Sequence, residues 1–185
     1  MNSKLFQFCL AGILLLFSAG CDDSPSQPGE GFYSYQGFRD WWRIPLRYPY
    51  QIRIIDSFES GTLEKYDPAS LIADPRCETL AEKVVEAGYH GKFAVFRQKN
   101  KEKPYGILIY ASGAIKNFST EEDLKKFAGS NYPDAAFPKM MDLDGFYKLM
   151  WQAISSIEKS HPGFFKKLQK KQEKSSADSQ SQRKL

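Results

Sequence analysis

Histidine is nearly absent. His90 and His161 are the only imidazoles in 185 residues, and each stands beside a glycine or proline in turn-forming sequence. No set of His, Cys and carboxylate residues has metal-ligand spacing. There is also no glycine-rich phosphate loop and no Gly-x-Ser-x-Gly nucleophile turn. Cys77 and His90 can be drawn as a thiol–imidazole pair, but nothing in their spacing requires it. The sequence thus points to no cofactor and no metal, and an enzyme using Cys77 is the least favoured reading. A long apolar run is missing too. Leu5–Phe17, apolar apart from Gln7, covers about 13 residues, short of the roughly 20 that a spanning helix needs.

That short run has a different meaning. Met1–Lys4 supplies the amino terminus and one cation, the apolar run follows, and the small residues Ser18-Ala19-Gly20 precede Cys21. This order is that of a secretory signal. Ser18-Ala19-Gly20-Cys21 resembles the lipobox of bacterial lipoprotein precursors, although Ser18 stands where that class most often has leucine. The resemblance covers residues 1–23. It implies cleavage between Gly20 and Cys21, a diacylglycerol thioether on Cys21, and acylation of the new amino group. One acyl chain holds a protein only marginally, whereas two or three make a lasting anchor. Asp22 resembles the inner-membrane retention signal of enterobacterial lipoproteins. In other bacteria an acid there has other meanings, so the leaflet stays open. The plainer alternative is an ordinary signal peptide with an incidental cysteine.

The expected organisation is a signal peptide over 1–20, a flexible tether over 21–31, one α+β domain over 32–165, and a basic tail over 166–185. The tether is rich in Ser, Pro, Gly and acid. The tail turns to Lys, Gln and Ser, which predicts a disordered segment or a fraying helix. After residue 165 seven basic residues face two acids, a net +5, whereas residues 21–165 hold 18 basic and 20 acidic side chains. The basic character of the chain is therefore that of its tail. The tail can touch anionic lipid headgroups beside the anchor or simply be solvated. Export argues against a nucleic-acid partner. With Cys9 removed and Cys21 lipidated, Cys77 alone remains and no intrachain disulfide can form.

Along the domain, Phe32–Phe38 reads as an irregular aromatic segment. In Asp40–Tyr50 the prolines at 45 and 49 forbid a helix and favour extended backbone. Trp41, Trp42, Arg43, Tyr48 and Tyr50 are a candidate binding surface, since such residues dominate interaction hot spots. They equally suit closure of a small core. Residues 50–66 predict a hairpin. For 77–87, Leu80, Val84 and Ala87 have helical spacing with Gly88 as a stop. Lys83-Val84-Val85-Glu86 can equally open a strand; the helix is preferred. Strands follow at 93–97, 105–110 (expected to be central) and 114–118, and Gln98–Pro104 is a hairpin tip. Ser119 is expected to cap a short helix through Glu122. Asp142 or Asp144 caps a last helix at 143–160, with Phe146, Leu149, Met150, Ala153, Ile154 and Ile157 as one stripe and Trp151 at its edge.

The strand–hairpin–capped-helix layout of Lys92–Phe127 is similar to that of small bacterial lipoproteins and of some toxin-immunity proteins, and brings no activity with it. The expected fold is α+β: a small antiparallel sheet of four or five strands with two or three helices packed on one face. The expected function is that of a lipid-anchored binding or accessory module in the cell envelope, meeting an unidentified envelope protein. The alternative is an immunity lipoprotein that sequesters a toxin.

Overall fold

The computed structural model describes residues 32–33, 36–38, 41–66 and 77–182. The expected signal peptide, with Gly20 and Cys21, and the tether lie outside the described residues.

Apolar and polar side chains alternate through much of the chain from Trp41 to Ile109, and this period builds a sheet. Its strands are β1 (Gly37–Phe38), β2 (Trp41–Pro45), β3 (Tyr50–Ile55), β4 (Gly61–Lys65), β5 (Glu78–Tyr89), β6 (Phe93–Gln98), β7 (Tyr105–Ile109) and β8 (Ala114–Phe118). Each pairs antiparallel with its neighbour in sequence, so the spatial order is the chain order. A ninth strand, β9 (Met141–Asp142), returns to pair with β5 through Glu86↔Asp142 and Ala87↔Met141. Three helices complete the fold: α1 (Glu121–Asn131), α2 (Leu143–Ser160) and α3 (Phe164–Gln182). The molecule is thus the α+β, antiparallel-sheet fold that the sequence predicts, with nine strands rather than four or five.

Several elements fall where expected. β3 and β4 form the 50–66 hairpin, and α2 has the expected bounds, capped by Asp142, whose Oδ1 accepts from Gly145 N at 2.7 Å. Others do not. Residues 78–89 form the longest strand, not a helix. The cap of α1 is Thr120, not Ser119: its Oγ1 accepts from Asp123 N at 3.1 Å and donates to Asp123 Oδ2 at 2.8 Å. The cap falls one residue later than expected, and the Asp123 carboxylate accepts from the Thr120 hydroxyl rather than from a backbone N–H. β7 is next to last in the strand order rather than central. Of the two readings of the tail, disordered or helical, the described residues follow the helical one, from Phe164 to Gln182.

Inward residues of β2–β7 converge on one cluster, including Ile44, Ile52, Ile54, Leu63, Val84, Ala87, Phe96 and Leu108. Tyr50 at the start of β3 stacks on Tyr110 beyond β7, ring centres 5.8 Å apart, so the sheet is curled enough for distant strands to touch. Leu143 and Phe146 of α2 enter the same cluster. Each fully buried Ile or Leu contributes about 1.5–3 kcal/mol before entropy. The other side of β6–β7 is apolar as well: Phe93, Val95 and Ile107 pack under Leu124 and Ala128 of α1. Gly106 is needed here because a Cβ would overlap the Phe96 ring.

The α2 stripe is rotated from its expected setting. Leu143, Phe146, Trp151 and Ile154 are buried, while Leu149 is 49% exposed. Trp151 lies inside: its indole Nε1 donates to Arg43 O at 2.8 Å. It shares a third cluster with Phe32, Tyr33, Tyr48 and Ile154, against which Phe165 and Leu168 of α3 pack.

Candidate functional site

Alternation along β2–β4 sends one set of side chains to the face opposite the main core. On that face the hairpin register sets Gln51 beside Glu64 and Arg43 beside Arg53. Glu64 is 0% exposed. Arg53 places Nε at 2.8 Å and Nη2 at 2.6 Å from its Oε1, and Gln51 Nε2 lies 3.3 Å from its Oε2. The Gln51 amide also reaches Cys77 Sγ at 3.8 Å. Arg43 Nη2 donates to Phe32 O at 3.0 Å, and its guanidinium lies over the rings of Phe32 and Tyr66 at 4.4 and 5.1 Å. A carboxylate taken out of water costs several kcal/mol unless paired. The Arg53 and Gln51 donors are that compensation, which makes Glu64 a spent group rather than a waiting base.

Cys77 is half-buried just before β5, and His90 follows its far end. Twelve residues of strand separate them, so the thiol–imidazole pair is not assembled. His90 closes the β5–β6 turn instead, its Nδ1 accepting from Lys92 N at 3.2 Å.

The five aromatic and arginine candidates do not form one open face. Trp42 packs on the main core and on Phe58, ring centres 4.9 Å apart. Tyr50 belongs to the same core, while Tyr48 lies in the α2–α3 cluster and its N–H donates to the Tyr33 hydroxyl at 3.0 Å. Arg43 is buried and Trp41 is partly exposed. Core closure thus accounts for Trp42, Arg43, Tyr48 and Tyr50.

A second polar group gathers where the β2–β3, β5–β6 and β7–β8 turns meet. Arg47 Nη1 donates to Gly91 O at 3.2 Å. Tyr110 stacks on Tyr50 and lies 6.2 Å from Tyr89, which is 39% exposed. Gly113, at φ 71°, leaves room for the Tyr50 hydroxyl, which a Cβ would meet at 2.6 Å. The Tyr110 hydroxyl is buried and has no hydrogen-bond partner among the described residues. Burial pushes the Tyr110 phenol well above its ordinary pKa, and the Arg47 charge only partly opposes this. Burial likewise pushes Tyr33 up to about 12, against the opposing hydrogen bond from Tyr48 N–H. Neutral phenols beside one guanidinium form a donor set for a carbonyl or an anion. Arg47, Tyr89 and Tyr110 were missed in the sequence because each sits at a strand end, and only the fold joins them. Gln51, Arg53 and Glu64 lie on the two strands of the predicted hairpin, but its register, Gln51 against Glu64, comes from the structure.

A groove of roughly 500 Å³ lies between β8 and α1, lined among others by Lys103, Asn117, Phe118, Lys126 and Asn131. Two of its polar groups already serve the helix: Asp123 completes the cap and Asn131 Nδ2 donates to Phe127 O at 2.8 Å. Among the described residues no group of three or more His, Cys, Asp or Glu could hold a metal ion, and no helix is long and apolar enough to cross a membrane. Compared with family models, curated proteins and solved structures, the chain finds no match.

Proposed function

We propose that the chain is a lipid-anchored lipoprotein of the cell envelope whose folded part is a binding or accessory module. The observation that carries this reading is Ser18-Ala19-Gly20-Cys21 behind a cationic start and a 13-residue apolar run. Cys21 is then the lipid-bearing residue and Gly20–Cys21 the cleaved bond. The binding role is supported by the chemistry of the domain. Its buried carboxylate is neutralised by Arg53 and Gln51, and Cys77 and His90 stand at opposite ends of β5.

Mass spectrometry of the chain isolated from membranes tests the anchor. A mature terminus at Cys21 carrying a diacylglycerol thioether is expected; an unmodified Cys21, or cleavage elsewhere, overturns it. Cross-linking on intact cells tests the module role, with one envelope protein recovered repeatedly as the expected result and no partner above background counting against it.

A second reading is immunity to a toxin, drawn from the resemblance of the Lys92–Phe127 sequence layout to that of some toxin-immunity proteins. It predicts protection of sensitive cells when the chain is expressed together with the product of a neighbouring gene. Absence of both protection and such a gene removes it.

A further inference from the structure

Helix α3 is asymmetric in charge. Phe165 and Leu168 pack against the α2 cluster, and Gln169 is buried. Gln172 completes the set at steps of 3, 1 and 3, so one helical face is turned inward. Tyr33 receives that face: its ring centre is 5.1 Å from Phe165 and its hydroxyl lies 2.8 Å from Gln172 Oε1. Lys166, Lys167, Lys170, Lys171 and Lys174 are exposed. At 100° per residue they occupy an arc of about 140° on the side away from Phe165. Phe164, beside that arc, is 41% exposed. In sequence only Glu173 and Asp178 oppose these cations within α3.

The position of this face matters as much as its charge. Phe32 and Tyr33, on which α3 rests, are also where the described domain begins, 11 residues after Cys21. An extended chain of that length reaches at most about 40 Å. A domain tethered at Cys21 therefore enters its fold directly beneath α3, with the lysines as the outer layer above the entry point. A surface charge is felt over about 8 Å at physiological ionic strength, and each lysine close to anionic lipid is worth about fivefold in affinity.

We infer that the lysine face of α3 docks on anionic lipid headgroups of the bilayer that holds the chain, with Phe164 at the margin of the contact. This rests on the lipid-anchor reading and deepens it by naming the surface that faces the membrane. The docked helix turns the sheet end with Arg47 and Tyr89 into a fixed orientation relative to the bilayer, where a tether alone leaves it variable.

The test uses the chain as purified from membranes, reconstituted into vesicles of phosphatidylcholine alone or with phosphatidylglycerol. Amide hydrogen exchange of residues 164–182 is read against β6–β7 as internal reference. Exchange in α3 is expected to slow about fivefold or more in the anionic vesicles, and the effect to vanish near 1 M salt, where screening shortens to about 3 Å. The combined variant Lys167→Glu, Lys170→Glu, Lys171→Glu, Lys174→Glu should lose the slowing while the reference is unchanged. Equal exchange in both vesicles, or slowing that survives the salt or the variant, overturns the inference. Should the variant unfold α3 even in neutral vesicles, the salt response of the unaltered chain decides alone. Mass analysis of Cys21 in the same sample separates the two readings. A lipidated Cys21 with unslowed α3 sinks only the docking surface, and an unmodified Cys21 with slowed α3 sinks only the anchor.

Discussion

The β3–β4 and β6–β7 hairpins belong to one sheet and are insulated in opposite ways. β6–β7 is apolar on both sides: Ala94, Phe96 and Leu108 face the main core, and Phe93, Val95 and Ile107 face α1. β3–β4 shares the first kind of face, through Ile52, Ile54 and Leu63. Its second face holds Gln51, Arg53 and the fully buried Glu64. Among the described residues no helix packs an apolar stripe there as α1 does over β6–β7. The difference teaches that burial alone does not make a strand hydrophobic. What matters is whether the covering element brings apolar area or leaves polar groups to satisfy one another.

Substitutions can break or sharpen that contrast. The largest effect is expected from Phe96→Ala, which empties a site 1% exposed and packed against Gly106. A loss of about 3–5 kcal/mol should be seen in denaturant unfolding. Next comes Glu64→Ala, which strands the Gln51 amide and part of the Arg53 guanidinium. A loss of about 2–3 kcal/mol is expected, moderated because Arg53 can turn to water. The pair variant Arg53→Met, Glu64→Leu should recover most of it. If the pair is no more stable than the single variant, the polar face does more than compensate its own burial. Thr120→Ala, at the cap of the helix covering β6–β7, should cost about 1 kcal/mol, and Ser119→Ala almost nothing. Equal effects at the two positions would count against the Thr120 cap.

The smallest effect lies at the rim, where the same ionic chemistry is half in water. Arg97 donates from Nε and Nη2 to Glu86 at 2.8 and 2.7 Å. These hydrogen bonds, with desolvation opposing them, hold the Glu86 carboxyl below its ordinary 4.5. A lowered carboxyl pKa stabilises the fold above the ordinary value, and that stability is lost as pH falls through the folded one. With both groups about one third exposed, the pair contributes no more than about 1 kcal/mol. Glu86→Gln should therefore flatten the decline in melting temperature below about pH 4.5 and change little at neutral pH.

The hairpins, the last helix and the fold class were legible because their periods are undisturbed. β5 was not, and the reason is local. Ala81, Val84 and Ala87 all point into the core, three residues apart, a spacing that ordinary strand alternation forbids. Irregular pairing on both sides of Val84 absorbs the extra residues, and Lys83 adopts φ 53°. Each bulge reverses the parity of the strand, so two of them in six residues imitate a helix. α3 was hidden differently: two of its four inward positions are glutamines, which removes the apolar stripe that announces a packed helix. The α2 stripe was misplaced because Trp151 hydrogen-bonds to the backbone of β2, which turns the helix toward the indole. Of the candidate site, the residue types were visible, but which way they faced depended on partners that only the fold supplies: Tyr110 for Tyr50, Phe32 and Tyr66 for Arg43, and the α2–α3 cluster for Tyr48.

The strand order has a kinetic consequence. From β1 to β8 every pairing joins sequence neighbours, so closing each step after the first needs only a modest loop and little chain entropy. β9 is the exception, carrying Asp142 back to Glu86 across the length of β6, β7, β8 and α1. Contacts that distant in sequence are slow to form. The sheet is therefore a scaffold that zips locally, and the β9–α2 unit, with Leu143 and Phe146 waiting to enter the core, is the piece whose arrival completes it.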